Sequence, residues 1–188
     1  MRRRAAKQQQ TRERIVDAAM ALHEELGPAE TTISALADRA GVQRLTVYRH
    51  FASDDELFSA CTSKWLRLHS PPDLSALESE EPAKRARAFL LALYRYYRRT
   101  EKMWAGAYRD LERVPALAEP MAAFHSHLAG AAKELAAGWA ARPPKRLRAT
   151  LDHAVHFATW RSLAEQGLGD AAMADLVCSW TAVLTEAP

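Results

Sequence analysis

The chain has only two cysteines in 188 residues, Cys61 and Cys178, and they stand far apart. That excludes a disulfide framework and a paired-cysteine zinc motif, and both thiols are expected reduced. Glycine is equally sparse, with seven residues. None falls in a phosphate-cradling loop, and neither a nucleophile elbow nor a metalloprotease helix motif is present. The usual routes to an enzyme and to a bound cofactor are therefore missing. No apolar run approaches the length of a transmembrane helix. The opening MRRRAAKQQQ is charged but lacks the apolar core of a secretory signal, so a cytoplasmic protein without membrane contact is expected.

What the chain does have is helix formers. Ala, Leu, Arg and Glu dominate, period-two alternation is scarce, and 48% of residues are apolar. The expected class is all-α with a substantial core. The net charge is +3, but it is unevenly spread. Arg2, Arg3, Arg4, Lys7, Arg12 and Arg14 face a single acid, Glu13, in the first fourteen residues. A basic arm ahead of a near-neutral body suits a polyanion such as DNA.

The stretch from Glu30 to Phe58 carries the strongest pattern. Ile33, Leu36, Ala37 and Ala40 recur at helical spacing, with Thr32 placed to cap the helix. Gly41 stands where a helix end wants a left-handed residue. Val42 re-enters the core, and Leu45, Val47, Tyr48 and Phe51 mark a second short helix. Ser53 then caps a further helix that opens with Asp54, Asp55 and Glu56 and runs through Leu57, Cys61, Trp65 and Leu68. This is a helix-turn-helix, whose second helix enters the DNA major groove. Arg44 is the candidate for bidentate reading of guanine, and Gln43 for adenine. Leu45 and Thr46 are candidates for packing on a thymine methyl, and Arg49 adds a charge to the same helix.

Thr32-Ile33 through Ala37, Ala40-Gly41-Val42, Thr46-Val47-Tyr48-Arg49-His50-Phe51 and Leu57-Phe58 resemble the DNA-binding domain of the TetR family of transcriptional regulators. The resemblance implies that Tyr48, His50 and Thr32 meet phosphate oxygens. It implies a second, helical domain that binds a small-molecule effector and forms a homodimer through the last two helices. It further implies a repressor that binds a palindromic double-stranded operator and leaves it when the effector binds. Two positions depart from the family pattern. Gln43 replaces a small capping residue, and Asp54 stands where relatives often carry a phosphate-binding Lys. The departure at Asp54 shifts attention to Arg2, Arg3 and Arg4 as backbone or minor-groove contacts.

The expected division is an arm and helix-turn-helix over 1–52, a linking helix and connector over 53–81, and a ligand-binding and dimerisation domain over 82–188. Residues 1–10 lack periodicity and read as mobile, with the first helix from about Thr11 to Leu26. Separate helices are expected over 82–100 and 101–111. A long helix follows Pro115 and Pro120 and ends before Arg142-Pro143-Pro144. One helix then runs from 145 to 166 and another from 170 to 185. Leu147, Leu151, Ala154, Val155, Ala158 and Ser162, with Met173, Leu176, Val177, Trp180 and Leu184, form the two stripes expected at a four-helix dimer interface. Tyr97, Trp104, Tyr108, Phe124, His125, His127, His153, His156 and Trp160 are the candidate effector-site residues, aromatic with a few polar groups. His125 and His127 are two apart and point to different helix faces, so no metal site is expected. The competing classes are a small all-α enzyme and a DNA-binding protein with no effector.

Overall fold

A computed structural model describes residues 2–77, 81–139 and 144–185, and among these there is no strand. The helices are α1 (Arg2–Glu25), α2 (Ile33–Ala40), α3 (Arg44–His50), α4 (Asp54–Leu68), α5 (Pro82–Asp110), α6 (Ala118–Trp139), α7 (Lys145–Ala154), α8 (Phe157–Ala164) and α9 (Asp170–Thr185). Single 3-10 turns lie at Pro28–Glu30, Leu74–Ala76 and Pro115–Leu117. The chain separates into two compact units. The N-terminal unit combines residues 1–70 with 101–120, and the second combines 71–100 with 121–188. Helix α5 therefore gives its first part to the second unit and its last turns to the N-terminal one. The linear division expected from sequence, with cuts after residues 52 and 81, places residues 53–81 and 101–120 differently.

In the N-terminal unit, α1 buries Ile15, Val16, Ala19 and Leu22 against Leu36 and Ala37 of α2, Val47 of α3 and Phe51. Helix α4 closes this core with Leu57 and Cys61. Its Trp65 meets Trp104 edge-to-face at 5.7 Å. Two helical expectations need correction here. Residues 2–10, expected to be mobile, extend α1, because Ala5 to Gln10 are good helix formers free of Gly and Pro. Gln9 donates to Glu13 one turn on, at 3.0 Å. Likewise 82–110 is one helix, because Thr100 turns its hydroxyl back onto the Tyr96 carbonyl at 2.6 Å and no breaker intervenes.

A buried histidine gives this unit a pH dependence. His23 lies beside Phe58, with its Nδ1 3.5 Å from Cys61 Sγ. Burial pushes its pKa down to about 4 and pushes the Cys61 thiol up to about 12. The folded state therefore holds His23 neutral while the unfolded chain binds a proton near the ordinary value. Stability is complete above about pH 6.5 and falls as pH drops from there to about 4, by roughly 3 kcal/mol. Urea titrations across that range should show the slope in the native protein and lose it in His23→Phe. A parallel slope in both would place the acid sensitivity elsewhere.

The second unit is built on α5. Phe89, Leu90, Leu93, Tyr94, Tyr96 and Tyr97 are all essentially inaccessible and pack among Phe124 and Leu128 of α6, Leu147 and Leu151 of α7, Trp160 of α8 and Val177 of α9. The expected single helix over 145–166 is broken. Helix α7 stops at Ala154, His156 takes an extended conformation (φ −73°, ψ 141°), and α8 starts at Phe157. Three hydroxyls capture the carbonyls at the break. Thr159 donates to His153 at 2.6 Å, Tyr94 to Ala154 at 2.9 Å and Tyr97 to Val155 at 2.7 Å. Leu147, Leu151, Ala154, Val155, Met173 and Val177, expected at a dimer interface, sit inside this core instead. They face the chain's own core because α9 packs along α7 and α8. Of the same stripes, Ala158, Ser162 and Leu176 remain exposed.

Candidate nucleic-acid interface

Local chemistry sets the angle between α2 and α3. Thr32 caps α2 by accepting the Ala35 N–H at 3.1 Å. At the other end Gly41 is left-handed (φ 64°, ψ 41°), and Val42 N–H returns to the Ala37 carbonyl at 3.0 Å. A side chain at Gly41 would be both strained and crowded by Arg14, whose guanidinium donates to the Ala40 and Gly41 carbonyls. Gln43 caps α3 by its backbone only, with Thr46 N–H donating to its carbonyl at 2.8 Å. Its side chain makes no capping bond, which leaves it available.

The seven residues of α3 divide sharply. Val47 and the following Phe51 are buried, whereas Gln43, Arg44, Leu45, Tyr48 and Arg49 are exposed and Thr46 and His50 half-exposed. Leu45 is 57% and Tyr48 50% accessible, an unusual exposure for large apolar groups on so short a helix. Neither Arg44 nor Arg49 has a carboxylate partner among the described residues.

The start of α4 is held by a reciprocal box. Ser53 accepts the Glu56 N–H at 3.2 Å, and Glu56 accepts the Ala52 N–H at 2.9 Å. Asp54 is exposed in that first turn. Arg12 lies over the Phe51 ring at 4.5 Å and reaches Glu56 at 3.7 Å. Arg12 and Arg14 thus bracket the end and the start of α3 from α1. In the sequence both count only as arm charge; their spacing from Ile15 and Ala18, one turn away, is the available signal.

Residues 15–61, from the second half of α1 to the middle of α4, match the model of the bacterial regulatory proteins of the tetR family. Over these residues the chain resembles the DNA-binding segment of that family. Over 83 residues, 43% of the chain, it is 36% identical to the HTH-type transcriptional regulator SrpR of Pseudomonas putida. It has the same identity, over the same length, to the uncharacterized HTH-type transcriptional regulator TtgW, also of Pseudomonas putida. The matched part spans 39% of SrpR and 62% of TtgW, under two thirds of either. In fold the likeness is broader. A TetR-like transcriptional regulator from Rhodococcus sp. RHA1 superposes with a TM-score of 0.66 at 22% identity, over 91% of this chain and 93% of that one. A TetR transcription regulator from Haloarcula marismortui does so with 0.65 at 14%, over 95% and 97%.

The candidate effector residues fall into three groups. Tyr97, Phe124 and Trp160 are buried together, with ring centroids 6.3 Å apart for Tyr97–Phe124 and 5.8 Å for Tyr97–Trp160. Phe157, not singled out from sequence, joins them at 5.3 Å from Tyr97. His125 and His156 meet at the edge, 6.2 Å apart. Burial, and then the neighbouring His156, holds His125 below the ordinary histidine value. His127 donates instead to the Pro72 carbonyl at 3.1 Å, and His153 is exposed. Trp104 and Tyr108 pair at 6.3 Å within the N-terminal unit. Burial pushes the Tyr108 phenol up to about 12. No set of three or more His, Cys, Asp or Glu among the described residues is placed to hold a metal ion. No described helix is long and apolar enough to cross a membrane. The side chain of Arg2 and the turn at Pro143 lie outside the described residues.

Proposed function

We propose that the chain is a DNA-binding transcriptional regulator, a homodimeric repressor of a palindromic operator that a small-molecule effector releases. The outward face of α3 carries the first part of this reading. Arg44, Gln43, Leu45 and Thr46 read base edges from the start of the helix, and Tyr48, Arg49, His50 and Thr32 hold phosphates. A short helix that exposes Leu45, Tyr48 and two uncommitted arginines is poorly suited to water and well suited to a groove. Both curated relatives are transcriptional regulators by name, which supports the same reading.

Arg44→Ala is the direct test. It is expected to cost about 1–3 kcal/mol on the operator and to relax the choice at one base position. The site can be found by selecting bound duplexes from a random pool. Equal losses on selected and random duplexes would remove Arg44 as a reader.

Two copies joined through α8 and α9 would set the recognition helices about 34–36 Å apart, one helical turn of DNA. Exposed Ala158, Ser162, Leu176 and Val183 on those helices support that face, with Val183 74% accessible. The effector site is Tyr97, Phe124, His125, His156 and Trp160. Its support is a donor without an acceptor: the Trp160 indole N–H is fully buried and has no hydrogen-bond partner among the described residues. An unmade buried bond is unfavourable, and an effector bearing an acceptor would supply it. Binding there favours a state in which the α3 spacing no longer fits the operator. Repeating the selection with a panel of aromatic and amphipathic compounds tests this; operator binding that is indifferent to all of them favours a regulator without an effector.

A further inference from the structure

The first ten residues behave unlike a tail. Helix α1 is continuous from Arg2 into the body of the N-terminal unit, and residues 3–10 are exposed throughout. Arg3, Lys7 and Arg14 are separated by four and seven residues, so they share one face of the helix. Arg4 and Thr11 border the same face. Arg14 fixes where that face points, because it bonds the carbonyls that end α2, at the turn leading into α3. Glu13, the single acid among the first sixteen residues, lies off this face and receives Gln9.

The charges along this face are uncommitted. Arg3, Arg4 and Lys7 have no carboxylate partner among the described residues, whereas Arg12 is engaged by Glu56 and Phe51. From Arg3 to Thr11 the helix rises about 12 Å. One DNA strand presents a phosphate about every 3.4 Å of helix axis, so that length passes three or four of them. The start of α4, which meets α1 at the Arg12–Glu56 pair, adds no cation, since it opens with Asp54, Asp55 and Glu56.

Resting on the DNA-binding reading above, we propose that residues 2–11 form a rigid helical rail whose Arg3, Arg4 and Lys7 lie along the phosphate backbone of one strand beside the α3 site. It is a rail because its geometry is set before binding, by a helix already anchored through Arg12 and Arg14. It adds affinity without sequence preference, since it meets only phosphates. It also replaces the phosphate contact that an acidic α4 terminus cannot make.

Two variants of the whole chain and one control test the rail on a random 30-base-pair duplex, with affinity followed against salt. In R3Q/R4Q/K7Q three cations are removed from an exposed surface. The slope of log K against log salt should become shallower by about 2.7, so that the fall in affinity between 50 and 200 mM salt shrinks on the order of 40-fold. The loss should be equal on operator and random DNA. In Gln10→Pro every cation is kept, but Pro starts a shortened helix and releases the residues before it. Affinity should fall roughly tenfold at unchanged charge, because the freed side chains must then be ordered on binding. Gln10→Ala should bind like the native chain. Melting temperatures of all three should stay within a degree or two of native, which separates these effects from unfolding.

An unchanged salt slope in the triple variant overturns the phosphate contacts. Native affinity in Gln10→Pro overturns the rigid helix and leaves a flexible charged tail. A native protein that binds no duplex at low salt defeats the DNA-binding reading itself, a result distinct from either.

Discussion

Gly27→Ala should lower the stability of the N-terminal unit by about 3–5 kcal/mol, one of the largest losses open to a single methyl group. Gly27 has φ 95° and ψ 160°, a region essentially closed to residues with a side chain. A Cβ there would also lie 1.8 Å from Arg109 Nη2 and 2.6 Å from Asp110 Oδ2. The exposed Arg109 guanidinium can swing aside, but Asp110 cannot. Asp110 is fully buried and accepts the Ala29 N–H at 3.0 Å, while Arg109 donates to the Leu26 carbonyl at 2.8 Å and to Asp110. Arg113 joins the cluster through Glu30 at 2.9 Å. Paired in this way, the Asp110 carboxyl is held below the ordinary carboxylate range, chiefly by its bond from Arg109.

The cluster makes the result divisible. In an Asp110→Ala background part of the steric conflict is gone, so Gly27→Ala should be milder there than in the native chain. Chemical denaturation of the four proteins gives the coupling between the two sites. Simple additivity would mean that the whole loss is backbone strain. A loss below about 1 kcal/mol for the single variant would show that residues 26–30 relax away from Asp110.

Asp110 also marks where reading the sequence stops. The helix-turn-helix was legible because its determinants are local. Thr32 bonds three residues on, Gly41 turns the chain within its own helix end, and Val47 and Phe51 follow the helical period. The start of α9 at Asp170 is legible for the same reason. The partner of Asp110 at Ala29 is 81 residues away and its burial depends on that segment, so in sequence it looks like any acid near a helix end. Nor does sequence show that residues 101–120 pack with the N-terminal unit, since their amphipathic pattern is indifferent to which core receives it. The helical arm escapes the sequence pattern for a different reason. Ala5-Ala6-Lys7-Gln8-Gln9-Gln10 has no apolar stripe because it buries nothing, yet its residues favour helix once α1 has nucleated.

The break between α7 and α8 shows the same limit and leads to the second large effect. Tyr94→Phe and Tyr97→Phe together should destabilise the second unit by about 2–5 kcal/mol, each alone by about 1–3. Neither Gly nor Pro stands at Val155-His156, so the backbone itself does not require a break. What sustains it is that the Ala154 and Val155 carbonyls, which a continuous helix would use, are taken by two buried phenols on α5. Removing the hydroxyls leaves two buried acceptors unmatched, and the chain has two responses. It can keep the break and bear the full loss. Or it can straighten, so that Ala154 and Val155 accept the N–H groups of Ala158 and Thr159, with a gain in helical ellipticity and a smaller loss. Denaturation with far-UV circular dichroism on the double variant distinguishes them. Straightening would establish that the tyrosines impose the break rather than adapt to it. It would also turn α8 about the axis of α7, carrying Trp160 with it, so the residue proposed to receive an effector would move with the bond that two hydroxyls now hold.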